Sequence, residues 1–399
     1  VVEQTANPEL GAHRQAGLGE FFALPMFACA GLMWMASANN LVSIFVSLET
    51  VTIAFYIMVA YLRRNVGSLE AGVKNLILGA LSTGFLVYGF AWLFGITGSM
   101  QLSEIATALA KPDINTTTAL FTFGLILVAL AFKIGAAPFH LWVPDVYQGA
   151  PTPITAFLSV GSKAAGFIVM LRLVSPFLAS AELVGKVTLV LTIIAILTLL
   201  VGNLAALPQK NFKRLLAYSS IAHAGFLVMA LASSPRAGGT PALTPVTVIA
   251  FYLGAYLLMT LLAFLVMTTL RTKIVGEDLD SFRSLAKRSP FLAFAMLVAM
   301  ASLAGIPLTA GFFGKLFVFK LAVESQHWIL LAVGLIGAAA GFYYYLKIAA
   351  SMFLSEPGKG QADMSAIPVS PLAKIAMIVL IVAIIFAGVN PGLILGLFL

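Results

Sequence analysis

Apolar segments long enough to cross a lipid bilayer recur along almost the whole chain. A spanning helix needs about 20 predominantly apolar residues to cross a hydrocarbon core about 30 Å thick. Of the 399 residues, 61% are hydrophobic and only 10% are charged, against about 25% charged residues in a typical soluble domain. The sequence therefore predicts an all-α protein, a polytopic membrane bundle whose helices satisfy their own backbone hydrogen bonds within lipid.

Eleven spanning segments are predicted, and two of them contain helix-breaking residues. The segments are 19–37, 40–62, 72–97, 116–137, 153–176, 187–207, 212–233, 246–270, 291–322, 328–354 and 371–390. The ninth is too long for one straight helix and contains Gly305 and Pro307, and the fourth is followed by Pro138. A proline ring clashes with the preceding helical turn and removes one backbone hydrogen bond. We therefore expect discontinuous helices near 131–145 and near 303–315.

Two connecting segments are long enough to contain structure of their own, 98–115 and 271–290. The second carries five basic and three acidic groups, with Leu279, Phe282 and Ala286 at roughly helical spacing. That pattern fits a short helix lying in the plane of the membrane interface. It equally fits a solvated loop, and the sequence leaves both interpretations open.

Basic residues collect in alternate loops, which predicts the orientation of the chain. One face of the membrane receives Arg14, Arg63, Arg64, Lys74, Lys210, Lys213, Arg214, Arg271, Lys273, Arg283, Lys287, Arg288 and Lys359. The other face receives little beyond Lys111, Lys186 and Arg236. Loops rich in Lys and Arg are typically cytoplasmic. The amino end is therefore predicted inside and the carboxyl end outside, and the net charge of +8 belongs to these loops rather than to a nucleic-acid surface.

The cysteine count limits the kinds of site that the chain can form, and its first residues suggest how the chain begins. Cys29 is the single cysteine, which excludes a disulfide framework and an iron–sulfur cluster held by this chain's own thiolates. The chain begins at Val1 in a polar stretch without a signal-peptide pattern. We expect a fragment or a processed chain.

Ionisable residues stand in the middle of several apolar segments. Lys133, Lys163 and Lys315 are the lysines in such positions, and Glu49 is the carboxylate. An ionisable side chain at bilayer depth costs at least a few kcal/mol, so residues of this kind usually mark paths for ions or protons. Lys163, Glu49 and His223 each lie nine to eleven residues beyond the start of a span, which is about 15 Å at the rise of a helix and close to the membrane midplane.

These residue types suit proton transfer. Burial disfavours the charged form of a lysine, whereas a neighbouring carboxylate favours it, so a Lys–Glu pair that opens and closes takes up and releases a proton. Histidines such as His140 and His223 titrate near neutral pH, although a buried histidine is often simply bonded to a backbone carbonyl. Lys320 and Lys347 are interpreted as lysines whose ammonium groups extend to the membrane interface. The tyrosine run at 343–345 is interpreted as packing and interface anchoring.

Four stretches resemble one known family. They are AFKIGAAPFHLWVPDVYQGAPTPITAFLSVGSKAAGF (131–167), NFKRLLAYSSIAHAGF (211–226), SLAGIPLTAGFFGK (302–315) and GFYYYLKIA (341–349). The first closely resembles the signature of the antiporter-like subunits of respiratory complex I, which are related to subunits of multi-subunit Na⁺/H⁺ antiporters. Within it, the sequence PFHLWVPDVYQGAPTP (138–153) is similar to that of subunit N. The resemblance covers essentially the whole chain.

The resemblance implies an architecture of fourteen spans with two five-helix units related by an inverted repeat, each with a discontinuous helix. About three spans would then be missing at the amino end of this chain. The implied organisation is a polar amino-terminal stretch, a first antiporter-like unit, a second such unit, and a loop with the last span. Their bounds are 1–18, 19–185, 186–354 and 355–399.

The resemblance also implies roles for individual residues. Glu49 would be the acidic partner of Lys133, which stands on the first discontinuous helix. Lys163 would be the central relay lysine, and Lys315 would stand on the second discontinuous helix, on the exit side of the path. The expected proton relay consists of Glu49, Lys133, Lys163, Lys315, His140 and His223.

The implied function is that of a proton-translocating membrane subunit of NADH:quinone oxidoreductase, a multi-pass protein of the bacterial inner membrane. Quinone reduction elsewhere in the complex would drive it, and its partners would be the lipid bilayer and other membrane subunits of complex I. No cofactor is expected in this chain, since NADH, FMN, the iron–sulfur clusters and quinone would be bound by other subunits. No nucleic acid is expected as a partner.

Three alternatives stay open at this stage. The first is a cation/proton antiporter subunit that works without redox enzymes, either alone or in a multi-subunit assembly. The second is a subunit of a membrane-bound hydrogenase or of a ferredoxin-linked photosynthetic complex. The third is a membrane cytochrome, which is disfavoured because only His140 and His223 lie where they could serve as axial haem ligands.

Overall fold

The computed structural model describes residues 18–233, 243–273, 276–354 and 367–396, and within these ranges the regular structure is helical, with no β-strand. The predicted all-α class is therefore confirmed. The amino-terminal stretch up to residue 17 lies outside the described residues. So do three residues used in the orientation argument, namely Arg14, Arg236 and Lys359.

The helices form two compact units, and the first comprises residues 16–198. Its helices are α1 (Leu18–Ser37), α2 (Leu41–Val59), α3 (Val66–Thr97), α4 (Leu102–Leu109), α5 (Thr116–Ile134), α6 (Trp142–Gly149), α7 (Thr152–Ala179) and the larger part of α8 (Val184–Ala206). Helix α3 packs against α5 and α6, and α1 packs against α2. Helix α7 is the most buried helix of this unit, because it also packs against α1, α2, α5 and the short α4.

The second unit comprises the described residues from Leu199 onward. After the end of α8 its helices are α9 (Phe212–Ala232), α10 (Pro245–Leu270), α11 (Leu285–Arg288), α12 (Pro290–Ala304), α13 (Ala310–Glu324), α14 (Trp328–Leu354), α15 (Pro371–Val389) and α16 (Pro391–Leu395). Helix α9 is almost entirely buried. A Cβ atom on Gly202 of α8 would lie 2.4 Å from the backbone nitrogen of Ala222, so the glycine allows these two helices to pack closely.

The predicted spans correspond closely to the observed helices. Within the described residues, ten helices are long and apolar enough to cross a membrane. The remaining predicted span, 291–322, is two helices of 15 residues each, α12 and α13. The predicted break after the fourth span is also present, because α5 ends at Ile134 and α6 begins only at Trp142. The third span begins at Val66, earlier than the expected residue 72.

The interface-helix interpretation of 271–290 is wrong for the part of that segment that the structure describes. A four-residue 3₁₀ helix, Leu279–Phe282, and the four-residue α11 replace it. Ser284 lies between them in the left-handed region at φ 54°, which interrupts a continuous helix. The other connecting segment, 98–115, contains the eight-residue α4.

Polar residues placed just before the apolar segments fix where several helices begin. In each case an Asn, Thr or Ser side chain accepts a hydrogen bond from a backbone N–H of the first turn, which has no partner within the helix. Asn65, for example, accepts from the N–H of Ser68 at 3.2 Å and begins α3. The residues that cap helices in this way are Asn40, Asn65, Asn115, Asn211, Thr244 and Ser370.

Candidate functional site

The two discontinuous helices end in the same way before their breaks. Helix α5 is closed by Gly135 in the left-handed conformation, φ 72°, and α12 by Gly305 at φ 86°. The N–H of Gly135 donates to Phe132 and that of Ala136 to Ala131, at 3.1 and 2.8 Å. The same pair of bonds recurs one for one after α12, from Gly305 to Ser302 and from Ile306 to Ala301 at 3.0 and 2.9 Å. This Schellman arrangement needs a residue that tolerates positive φ, which explains both glycines.

Lys163 lies against the carbonyl end of α5, where the first break begins. It is 4% exposed on α7, and its Nζ atom is 3.4 Å from the carbonyl oxygen of Ile134, the last residue of α5. A Cβ atom on Gly166 would be only 2.7 Å from the side chain of Ile134, so this glycine lets α7 approach the end of α5. A cation is favoured there because the carbonyl end of a helix carries partial negative charge.

Lys315 takes the equivalent position at the second break. It is 6% exposed, and its Nζ atom donates to the carbonyl oxygens of Leu303 and Ala304, both at 2.9 Å. The lysine stands on α13, so the second half of the discontinuous helix closes the carbonyl end of the first half. Its ammonium also lies 5.5 Å from the centre of the Phe226 ring, within the range of a cation–π interaction.

Glu49 and Lys133 are brought near each other in the first unit, with threonines against both charges. The carboxylate of Glu49 accepts a hydrogen bond from the hydroxyl of Thr83 at 2.8 Å. The ammonium of Lys133 is hydrogen-bonded to the hydroxyl of Thr52. Thr83 and Lys133 line the same small cavity, but the ion pairs of the described residues include no direct Glu49–Lys133 contact.

His223 lies between two tyrosine hydroxyls in the core of the second unit. Its Nδ1 atom is 2.8 Å from the hydroxyl of Tyr252, and its Nε2 atom is 3.2 Å from that of Tyr345. The Tyr345 hydroxyl is also hydrogen-bonded to Ser219. The hydroxyl of the neighbouring Tyr344 donates to Asn203 at 3.2 Å. These contacts form a hydrogen-bonded cluster across α8, α9, α10 and α14.

The tyrosines of this cluster are residues that the sequence interpretation missed. Tyr344 and Tyr345 are buried, whereas Tyr343 is 60% exposed. The interpretation of the run as packing and interface anchoring is therefore wrong for Tyr345, whose hydroxyl bonds a buried histidine. A signal was available in the sequence, because a buried Tyr hydroxyl requires a hydrogen-bond partner.

His140 stands apart from the charges of its unit. It lies in the turns between α5 and α6 and is partly exposed. The described hydrogen bonds do not join it to Glu49, Lys133 or Lys163. Its role in a relay stays a prediction. Among the described residues there is also no group of three or more His, Cys, Asp or Glu side chains arranged to hold a metal ion.

Known proteins are similar to this chain in both sequence and fold. Residues 38–341 match the family described as NADH:quinone oxidoreductase/Mrp antiporter, TM. The chain is 45% identical to NADH-quinone oxidoreductase subunit N 2 of Solibacter usitatus, over 85% of this chain and 67% of that protein. It is 40% identical to NADH-quinone oxidoreductase subunit N of Desulforamulus reducens, over 94% of this chain and 75% of that protein.

A solved structure matches as well. A chain of respiratory complex I from Thermus thermophilus superposes with a TM-score of 0.80 at 37% identity, and the match covers 96% of this chain and 81% of that one. Lysines at the ends of two broken helices thus occur here in a fold that is also found in a respiratory membrane complex.

Proposed function

This chain belongs to the NADH:quinone oxidoreductase/Mrp antiporter transmembrane family, and on that premise we propose that it is a proton-translocating membrane subunit of an NADH:quinone oxidoreductase, equivalent to subunit N. The observation that carries the proposal is the placing of Lys163 and Lys315. Each is a buried ammonium group held at the carbonyl end of a discontinuous helix.

Such a position suits a group that gains and loses a proton. The charged lysine is stabilised by carbonyl oxygens and by the helix dipole, while burial favours the neutral amine. These opposing effects make the charge of the lysine sensitive to small changes around it. Broken helices at membrane depth occur where they are buried in protein or line a water-filled cavity, which provides a route for the proton.

Three of the other relay residues, Glu49, Lys133 and His223, have supporting contacts. In the first unit, the carboxylate of Glu49 is bonded to Thr83 and the ammonium of Lys133 to Thr52, so each charge has a hydroxyl partner. In the second unit, His223 bridges Tyr252 and Tyr345, so it can pass a proton between hydroxyls by exchanging its tautomers. In this proposal the charge states respond to quinone reduction in other subunits, and protons move from the cytoplasm outward.

The proposal includes partners and location. The chain would work in the bacterial inner membrane beside other membrane subunits of the oxidoreductase, with NADH, FMN, iron–sulfur clusters and quinone bound elsewhere in the complex. Large exposed apolar side chains on the outer helices, such as Phe22, Ile77, Ile336 and Leu372, suit contact with lipid or with neighbouring membrane subunits.

A second candidate function is cation/proton antiport, because the same family includes subunits of Mrp antiporters. The 45% identity to a subunit N favours the oxidoreductase. Exchange of Na⁺ for protons driven by a pH gradient, in vesicles without NADH, would favour the antiporter instead.

The deciding experiment is NADH-driven proton uptake in inverted vesicles, comparing the wild type with Lys163→Ala. The full-length gene is used, and assembly of the complex is followed on a native gel. We expect an assembled complex with proton uptake reduced at least about tenfold, since the ammonium group and its charge-assisted hydrogen bond are lost.

Lys320→Ala is the matched control, because Lys320 is half exposed and pairs with Glu324 one helical turn away. It should leave uptake close to the wild-type rate. Normal uptake in an assembled Lys163→Ala complex would contradict the relay assignment. Absence of the wild-type chain from the oxidoreductase would contradict the proposed function itself.

A further inference from the structure

A small cavity in the first unit lies beside both members of the Glu49–Lys133 pair. It is bordered by α2, α3 and α5 and has about 10 Å³ of space for the centre of a water molecule, which is about enough for one water. The polar side chains that line it are those of Tyr56, Ser82, Thr83 and Lys133. Glu49 is connected to it through Thr83.

The hydroxyl of Tyr56 is the polar group in this cavity that lacks a hydrogen bond. It is buried and has no hydrogen-bond partner among the described residues. Leaving a buried hydroxyl unsatisfied costs about 1–3 kcal/mol, so such groups in native proteins are usually bonded to a buried water.

The shape of α3 makes room for this hydroxyl. A Cβ atom on Gly79 would lie 1.9 Å from the Tyr56 oxygen, so any larger residue at position 79 would displace the ring. Gly84, one and a half turns further along the same helix, has open space where its Cβ would be. Gly79 therefore fits the tyrosine closely, whereas Gly84 does not face a packed neighbour.

The hydrogen-bonding groups are complementary to one water molecule. The Thr83 hydroxyl already donates its proton to Glu49, so its oxygen is left as an acceptor. The ammonium of Lys133 keeps further N–H donors beyond the one directed at Thr52. A water in the cavity would accept from Lys133, donate to Thr83 and share its remaining bond with Tyr56. Three polar partners are typical of a buried water.

The geometry points to a bound water, positioned by Tyr56, that connects Lys133 to Glu49 through Thr83; this inference rests on the proposed function for its role and on the cavity for its site. When the pair is neutralised, the ammonium of Lys133 gives a proton to the water. The water gives one of its own protons to the oxygen of Thr83, whose original proton passes to the Glu49 carboxylate. Lys133 ends as a neutral amine and Glu49 as a carboxylic acid, while the water and Thr83 are unchanged.

The site is tested directly by a high-resolution structure of the full complex with ordered waters. We expect density for one water between Tyr56, Thr83 and Lys133 in the wild type, and loss of that density in Tyr56→Phe. Tyr88→Phe is the matched control, because Tyr88 is exposed and its ring packs against Trp92. No water in the wild type, or an unchanged water in Tyr56→Phe, overturns the inference.

The role of the water is tested by proton uptake in the same vesicles. Tyr56→Phe should lower the rate about fivefold, the effect of one lost hydrogen bond. Gly79→Ala should lower it to a similar extent by moving the hydroxyl, with Gly84→Ala as its control. Because both variants act on the same hydroxyl, the double variant should lose less than the product of the two single effects.

The outcomes separate this inference from the proposed function. If Tyr56→Phe and Gly79→Ala match their controls while Lys163→Ala abolishes uptake, the water does not carry protons and the proposed function stands. If Lys163→Ala also retains full uptake, the relay assignment fails, and the water density alone decides whether Tyr56 forms a binding site. The proposed function itself fails only if the wild-type chain is absent from the oxidoreductase. Fully multiplicative effects in the double variant would show that the two residues act separately and would overturn the shared mechanism.

Discussion

The ammonium nitrogen of Lys315 lies 2.9 Å from the carbonyl oxygen of Ala304, the last residue of α12. Lys163 is 3.4 Å from the carbonyl oxygen of Ile134, the last residue of α5. Both carbonyls immediately precede a left-handed glycine that ends the helix. A lysine thus compensates the partial negative charge at the carbonyl end of α5 and of α12. Lys163 comes from a separate helix, α7, whereas Lys315 stands on α13, the second half of the same discontinuous helix.

Replacing Lys315 by Met should impair proton uptake while the complex still assembles. Met fills a similar volume but removes the two bonds to Leu303 and Ala304, and hydrogen bonds to a charged group are worth about 1.5–3 kcal/mol each. We expect uptake at least about tenfold below wild type, measured in inverted vesicles. Lys320→Met on the same helix serves as control, since Lys320 is half exposed. Equal rates in the two variants would place Lys315 outside the proton path.

Glu49→Gln and Lys133→Ala should have similar effects on proton uptake. Each removes one charge of the same pair, so the double variant should be no slower than the slower single variant. Glu104→Gln is the control for the loss of a carboxylate, because Glu104 is exposed on α4. Opposite effects of the two single variants, or effects that multiply, would show that Glu49 and Lys133 do not work as a pair.

Tyr345→Phe should lower both stability and proton uptake. It removes the hydroxyl that bonds His223 and Ser219 and leaves buried polar groups short of a partner, at a cost of about 1–3 kcal/mol. The measurements are the thermal midpoint of the purified complex and the uptake rate. Tyr343→Phe, two residues earlier and 60% exposed, should behave as wild type. If Tyr345→Phe and Tyr343→Phe have the same thermal midpoint and the same uptake rate, the cluster is not part of the relay.

Glu277→Ala should destabilise the loop before α11 without acting on the proton path directly. Glu277 pairs with Lys213 at 2.6 Å and also with Arg271, and the Lys213 side chain is 2% exposed. Removing one partner of a buried ion pair costs about 3–5 kcal/mol.

Heating followed by native gel electrophoresis measures this loss. Asp280→Ala is the control, because Asp280 is 81% exposed and lies 3.7 Å from Arg283 at the surface, where a single ion pair contributes about 0–1 kcal/mol. Equal stability of Glu277→Ala and Asp280→Ala would show that the Glu277 carboxylate does not stabilise the buried ammonium of Lys213.

The sequence predicted most of the fold because spanning helices are governed by local properties. Segment length and hydropathy identified the spans, and Pro138 and Pro307 indicated both breaks, since a proline removes one backbone hydrogen bond and clashes with the preceding turn. The exact helix ends were less predictable. Val66 begins α3 six residues early because Asn65 caps it, and a lone asparagine in a polar segment is a weak signal.

Amphipathic spacing was an unreliable signal in the loop at 271–290. Leu279, Phe282 and Ala286 have roughly helical spacing, yet the backbone turns at Ser284, whose N–H donates to the carbonyl of Ser351 on α14 at 3.3 Å. A contact between residues so distant along the chain outweighs the weak local preference for a helix.

The positions of Glu49, Lys133, Lys163 and Lys315 in the middle of apolar segments follow from the sequence alone. In the structure Lys163 and Lys315 are buried, whereas Glu49 and Lys133 are partly exposed. What each charge contacts depends on how the helices pack. The carbonyl oxygens at Lys163 and Lys315, the threonines at Glu49 and Lys133, and the tyrosines at His223 come from packing between helices distant in sequence. Hydropathy measures how a segment partitions into lipid, whereas hydrogen bonds depend on which helix faces meet, and that is settled by the packing of the whole bundle.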